Sequence, residues 1–176
     1  MAQWVGEVLD ALSLTAVHAV GTSLGAWVAA DFASRHPDRI QRLVLQSPAG
    51  IGRTKFGWLP KAIVAQVVGG RAVRRSAAQV AGLDLHEHSA ILDDVALTFT
   101  HFKPRSGVPQ FSDDTLSRVT APTLVLVGEA DAMFDAAQTA ERATRLIPNS
   151  TVHTVTRPAG HALLGQTHHI LAFLQT

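Results

Sequence analysis

The pentapeptide Gly21-Thr22-Ser23-Leu24-Gly25 is the feature of this 176-residue chain that most constrains its fold. It follows a short apolar run, Ala16-Val17-His18-Ala19-Val20, that reads as a buried strand. It precedes Ala26 to Arg35, a stretch of strong helix formers that Pro37 stops. The form is G-x-S-x-G. A serine raised at so sharp a strand-to-helix turn sits in a strained backbone conformation. Its neighbours must be small for strand and helix to approach closely. Glycine and serine are common in ordinary turns, so the pentapeptide alone is weak evidence. The strand before it and the helix after it are the context the motif requires. The same turn brings the Leu24 backbone N–H to a helix start, where it is able to donate to a developing oxyanion.

The rest of the chain alternates in the same way. Trp4, Val5, Val8, Leu9 and Leu12 recur at helical spacing, which predicts a helix over 2–12. Leu43-Val44-Leu45 reads as a strand closed by Ser47-Pro48-Ala49-Gly50. Thr123 to Gly128 is a second clear apolar run, followed by a helix pattern from Ala136 to Leu146. A strand over Val152–Val155, a loop over 156–160 and a final helix to about Leu174 complete the order. Short continuous apolar strands alternating with helices predict an α/β fold, a parallel sheet covered by helices on both faces. Residues 51–110 break the alternation. They hold glycine pairs, prolines and short helical patterns, Trp58 to Val68 being one and Leu83 to Phe99 holding two more. Pro48, Pro104 and Pro109 mark loops at the ends of this stretch. It reads as a helical insertion over one end of the sheet, between core segments 1–50 and 111–176.

The serine hydroxyl is a poor nucleophile near neutral pH and needs a base. Of nine histidines, His161 is the best candidate, in Pro158-Ala159-Gly160-His161-Ala162 between a late strand and the last helix. An imidazole base needs a carboxylate to fix its tautomer and stabilise its charged form. Asp131 follows the strand Leu124–Val127, so it leaves the same end of a parallel sheet as Ser23 and His161, the end where ligand sites of such sheets lie. Asp135 is the rival acid, but at the start of the next helix it reads better as a cap.

Other chemistries are disfavoured. The chain has no cysteine, which removes disulfides, thiolate metal sites and a cysteine nucleophile. His86-Glu87-His88 and His168-His169 lack metal-ligand spacing on a helix, so no metal is expected. Lysines and arginines, 15 against 14 acids, are scattered, so no nucleic acid is expected. Arg71, Arg74 and Arg75 form the densest basic patch and read as a solvated helix end. The glycines lack the G-x-G-x-x-G of a dinucleotide site. No apolar stretch is long enough to span a bilayer and no basic-then-apolar leader opens the chain, so the reading is a soluble, cytoplasmic protein without a membrane partner. Trp58, Leu59, Ile63 and Val67 share one helix face. They serve either to pack the insertion onto the body or to line an apolar pocket. Trp27 reads as core packing behind the elbow.

Four stretches now resemble one family. Val20 to Ala26 resembles the nucleophile elbow of the α/β-hydrolases. His36-Pro37-Asp38-Arg39-Ile40 with Leu43-Val44-Leu45 resembles that family's helix end and following strand. Ala121 to Asp131 resembles its acid-bearing strand and turn, and Ala159-Gly160-His161 its histidine loop. The resemblance implies an α/β-hydrolase fold with 51–110 as the helical cap, and a catalytic triad of Ser23, Asp131 and His161 with Leu24 as an oxyanion donor. It implies a serine hydrolase that acts through an acyl-enzyme on an ester-like carbonyl of a small-molecule substrate, with no cofactor. Carbon–carbon bond hydrolysis and thioester hydrolysis keep the same triad. A serine nucleophile disfavours the epoxide hydrolase and haloalkane dehalogenase branches.

The same resemblance implies that the elbow follows a fifth strand. Here one strand precedes Gly21, so four strands and the loop with the second oxyanion N–H are expected to be missing. Loss of one such donor costs about 2.7–4 kcal/mol of transition-state stabilisation. A non-catalytic hydrolase fragment that needs a partner chain is therefore the competing reading. The apolar edge strand 16–20 would then template pairing with a second copy or a partner chain. The expected outcome is self-association. Light scattering at tens of micromolar checks it, and a monodisperse monomer would count against it.

Overall fold

The computed structural model describes residues 1–101, 107–156 and 159–176. Pro104 and Pro158, read above as loop positions, lie outside them. Among the described residues, four strands form one sheet in the order β1 (Val17–Thr22), β2 (Ile40–Gln46), β3 (Thr123–Gly128), β4 (Ser150–Val155). Every neighbouring pair is parallel, as the alternation with helices predicts. β1 lies at one edge. The strands run longer than their apolar stretches because the ladder continues through polar residues such as Arg42 and Thr22, paired with His18 and Gln46.

Alternate strand residues feed two layers. Leu43, Leu45, Val125 and Val127 enter the larger core with Ala26, Ala30, Phe32 and Ala33 of α2 (Leu24–Arg35). α1 (Ala2–Ala11) packs against α2 through Leu9. On the opposite face Val44, Leu124 and Leu126 pack with Leu163 and with Ile170, Phe173 and Leu174 near the chain's end. β1 is covered on only one face. Val17 and Ala19 pack into the larger core, whereas Val20 is 50% exposed.

The segment between the second and third strands carries α3 (Leu59–Val68), α4 (Arg71–Ala81), α5 (Ser89–His101) and the short α6 (Asp113–Ser117). From the sequence only a helix end is read at Arg71, Arg74 and Arg75, where α4 begins, and two helices where α5 alone forms. α4 opens after Gly69-Gly70 with arginines in its first turn, against the usual helix-dipole preference. Its buried stripe is Val73, Ala77 and Ala78, set against exposed Arg71, Arg75 and Gln79. Residues 83–88 are a turn in which the Asp84 carboxylate accepts the N–H groups of His86 and Glu87. Of the two roles left open for the apolar face of α3, packing onto the body is not what the structure shows. Leu59, Ile63 and Val67 are exposed, because α3 rests on α4 rather than on the sheet.

Both ends of this segment are tied to the body. Arg142, buried in α7 (Ala136–Leu146), donates to the carbonyls of Ile51 and Phe111 and pairs with Asp113 at 2.7 Å. Trp27 is half-buried. It stacks on Phe111 at 5.3 Å and donates its indole N–H to the Pro109 carbonyl. α8 (Thr167–Gln175) closes the chain.

The elbow glycines differ. A Cβ on Gly21 would lie 2.5 Å from the Gly25 carbonyl oxygen and 2.7 Å from Ala26 Cα. A Cβ on Gly25 would meet nothing within 4 Å. Only the first glycine is a steric necessity for the strand–helix approach seen here. Gly21→Ala is expected to destabilise by about 1–3 kcal/mol, the usual cost of overpacking, and Gly25→Ala by much less. Urea midpoints of the two variants check this.

Candidate active site

Each strand delivers one group to the carboxyl end of the sheet. β1 ends at Thr22, and the chain turns at Ser23 with φ 53° and ψ −111°. Positive φ is costly for a residue with a Cβ, roughly 1–3 kcal/mol where surroundings enforce it. Here the Ser23 N–H donates to the Gln46 carbonyl of β2 at 2.9 Å, and its carbonyl accepts from Trp27 N. The turn aims the hydroxyl away from the strand and opens α2 immediately. The Leu24 N–H is therefore one of the first amides of a helix, which have no acceptor within it.

β3 ends in Gly128, and the following turn carries Asp131, 4% exposed. A buried carboxylate needs several donors. Oδ1 accepts the Met133 and Phe134 N–H groups at 2.7 and 3.1 Å, and Oδ2 lies 3.0 Å from His161 Nδ1. The loop after β4 brings His161 Nε2 to 3.0 Å from Ser23 Oγ. With its proton on Nδ1, a neutral imidazole donates to Asp131 and accepts from the serine hydroxyl, so one tautomer satisfies both contacts. The Phe134 ring meets His161 edge-on at 5.2 Å.

The structure thus brings together Ser23, Asp131 and His161, with the Leu24 amide beside them. It keeps apart the other residues considered from the sequence. Asp135 is the N-cap of α7, its Oδ1 accepting the Gln138 N–H at 3.0 Å. His153 of β4 and His169 of α8 meet with ring centroids 4.7 Å apart and planes tilted by 38°. Among the described residues no three histidine or carboxylate groups could share a metal ion, and no helix is long and apolar enough to cross a membrane. A cavity of about 550 Å³ between α1 and the far end of α2 is lined by Glu7, Asp31, Arg35 and Arg39. It lies about 12–18 Å along α2 from Ser23 at 1.5 Å per residue, and it touches none of the three assembled groups.

Several supports were not legible in advance. Lys55 Nζ donates to the Asp131 carbonyl at 2.9 Å, and residues 53–55 run antiparallel to 133–135, with Lys55 N donating to Met133 O. Ser47 and Gln46, at the end of β2, bond the main chain of the His161 loop. Long sequence separation hides all of these contacts. A strand-terminal serine otherwise reads as a turn residue.

The Gln138 amide, and beyond it the Arg53 guanidinium, hold the Asp135 carboxyl below the usual carboxylate range. A carboxyl whose folded pKa is depressed stabilises above the unfolded value, and that stability is lost as pH falls through the folded value. Asp135→Ala is expected to cost about 1 kcal/mol at neutral pH, and less as acid titrates the native carboxyl. Asp135→Asn should keep most of the cap. Chemical denaturation of the three proteins between about pH 7 and pH 3, spanning the carboxylate range, checks this.

The chain matches the family model described as alpha/beta hydrolase fold over residues 1–166. It is 28% identical to carboxylesterase YbfK of Bacillus subtilis over 172 residues, 92% of this chain and 57% of that protein. The crystal structure of the same esterase superposes with a TM-score of 0.80, covering 98% of this chain and 65% of the other. Naproxen esterase of Bacillus subtilis shares the fold, with a TM-score of 0.78 at 21% identity over 98% of this chain and 65% of that one. A 2-hydroxy-6-oxo-6-phenylhexa-2,4-dienoate hydrolase of Comamonas testosteroni is 36% identical over 59 residues, 34% of this chain and 21% of that enzyme. The chain spans 57% of the length of the curated esterase it matches. Its four-stranded parallel sheet and the family match over residues 1–166 together make it a member of the α/β-hydrolase family.

Proposed function

We propose that this chain carries the catalytic groups of a serine hydrolase that cleaves an ester-like carbonyl of a small molecule through an acyl-enzyme. The single observation behind this reading is the continuous chain of two 3.0 Å contacts from Asp131 Oδ2 through the His161 ring to Ser23 Oγ.

In the first half-reaction Ser23 Oγ attacks the carbonyl carbon while its proton passes to His161 Nε2. The carbonyl oxygen becomes an oxyanion beside the Leu24 N–H. Asp131 holds the ring and balances its positive charge. Collapse breaks the bond to the leaving alkoxide, which takes the proton from Nε2 and departs as an alcohol. In the second half-reaction a water gives its proton to Nε2 and its oxygen to the acyl carbon. The acid then leaves and Ser23 regains its proton. Nothing in this sequence calls for a redox group. Substrate selection would fall to the helices between β2 and β3, where Leu59, Ile63, Val64 and Val67 present apolar side chains.

A second reading keeps the same groups and applies them to a carbon–carbon bond next to a carbonyl. The 36% identity over 59 residues to the dienoate hydrolase favours it. A short p-nitrophenyl ester and 2-hydroxy-6-oxo-6-phenylhexa-2,4-dienoate, offered in parallel, separate the two.

A fluorophosphonate probe should label the protein at Ser23, and Ser23→Ala should abolish labelling. Asp131→Asn should slow it by a factor on the order of 10⁴, as loss of the orienting carboxylate does elsewhere. Intact-protein mass spectrometry over time reads all three. No adduct on the unaltered chain, or equal adduct on Ser23→Ala, would sink this reading and leave the non-catalytic fragment as the better account.

A further inference from the structure

The end of β2 takes part in the site without contributing to the chemistry. Ser47, the residue after the strand, is 2% exposed and has φ 41°. Apart from Ser13 and Ser23 it is the one non-glycine residue with positive φ among the described residues. Its N–H continues the ladder to the Leu126 carbonyl at 2.8 Å. Its hydroxyl donates to the His161 carbonyl at 2.7 Å. The preceding Gln46 donates its amide to the Leu163 carbonyl at 3.0 Å, and its Oε1 accepts the Thr22 hydroxyl at 3.2 Å. The last residue of β2 and the one after it therefore grip the histidine loop on either side of Ala162. One of them is also bonded to the residue before the nucleophile.

A buried serine held at positive φ is strained, and such strain persists only where the surroundings enforce it. Glycine would occupy the position without that cost but has no hydroxyl. The retained hydroxyl is spent on the main chain of His161. We propose that Ser47 and Gln46 are positioning residues that fix the His161 loop on the end of β2, so that Nε2 stands at hydrogen-bond distance from Ser23 Oγ. The inference rests on the proposed roles of Ser23 and His161. Its physical basis is that β2 is the strand between β1, which carries the nucleophile, and β3, which carries the acid. Anchoring the base to that strand refers all three groups to one rigid frame. Misplacement of a reacting group by about 1 Å costs a rate factor on the order of 100.

Ser47→Gly separates positioning from folding, because it relieves the strained φ while removing the hydroxyl. Its thermal midpoint is expected to stay at or above that of the unaltered protein. Fluorophosphonate labelling of Ser23 should slow by about 10- to 100-fold. Gln46→Met should slow it less, and the double variant more than either. In parallel, proton NMR in water reads the His161 ring N–H held by Asp131, a signal that needs no turnover. It should be present in the unaltered protein and broadened or lost in Ser47→Gly. An unchanged labelling rate together with an unchanged ring signal would overturn the proposal. If the unaltered protein does not label at all, the catalytic reading fails on its own, and the ring signal still decides whether Ser47 holds His161.

Discussion

The backbone contact at the elbow governs the rest of the site. Gly21 approaches Gly25 and Ala26 so closely that even one carbon on it would overlap the helix backbone. That approach makes the chain leave β1 and enter α2 within a single residue, and Ser23 absorbs the whole change of direction at φ 53°. The local cost is of the order of 1–3 kcal/mol. It is offset by burying Ala26, Ala30, Phe32 and Ala33 against the sheet, each removing apolar surface from water at about 25 cal/mol per Å². A looser turn would spare the strain. It would also lower the hydroxyl toward the sheet and swing the Leu24 amide out of line.

Parallel pairing supplies the second level of order. Thr22 pairs with Gln46, Gln46 with Leu126 and Gly128 with Val155, so the strands end at nearly one level. Each carboxyl end can then place a polar residue beside its neighbours' without a long reach. Burying Asp131 is tolerable because the turn after β3 offers it two amide donors and the loop after β4 offers an imidazole. Asp131 is therefore held by its own turn as well as by His161, and the imidazole is aligned by a carboxylate already fixed.

The parts of this architecture that could be read from the sequence are those with local causes. Gly21 and Ser23 announce the elbow because a tight turn needs a residue without a side chain. Thr123 to Gly128 announces a central strand because both of its faces are buried. Asp135 reads as a cap from its place before α7, and the side chain does accept the Gln138 amide. What stayed hidden depends on distant partners. α4 opens on arginines where the helix dipole disfavours them, and its stripe of Val73, Ala77 and Ala78 settles against neighbouring helices rather than the sheet. Ser47 looks like any turn serine until the histidine loop, 114 residues further along the chain, folds over it. Ile63 and Val67 look like packing residues, yet the helix they sit on rests on another helix and leaves them in solvent.

The histidine loop also has a glycine on each side. A Cβ on Gly82, at the end of α4, would lie 2.5 Å from Gly160 Cα, and one on Gly128 would lie 2.2 Å from the Gly160 carbonyl oxygen. The loop is therefore wedged, main chain against main chain, between the end of α4 and the end of β3. Apart from Leu163, whose methyl also faces Gly128, the contacts of this joint are main chain and leave little that could rearrange to absorb a shift. Exchange of the helices between β2 and β3 for those of another protein is accordingly not a free modular swap. The seam runs through the loop that bears His161, and any transplanted helix must end in a glycine at that point or displace the imidazole.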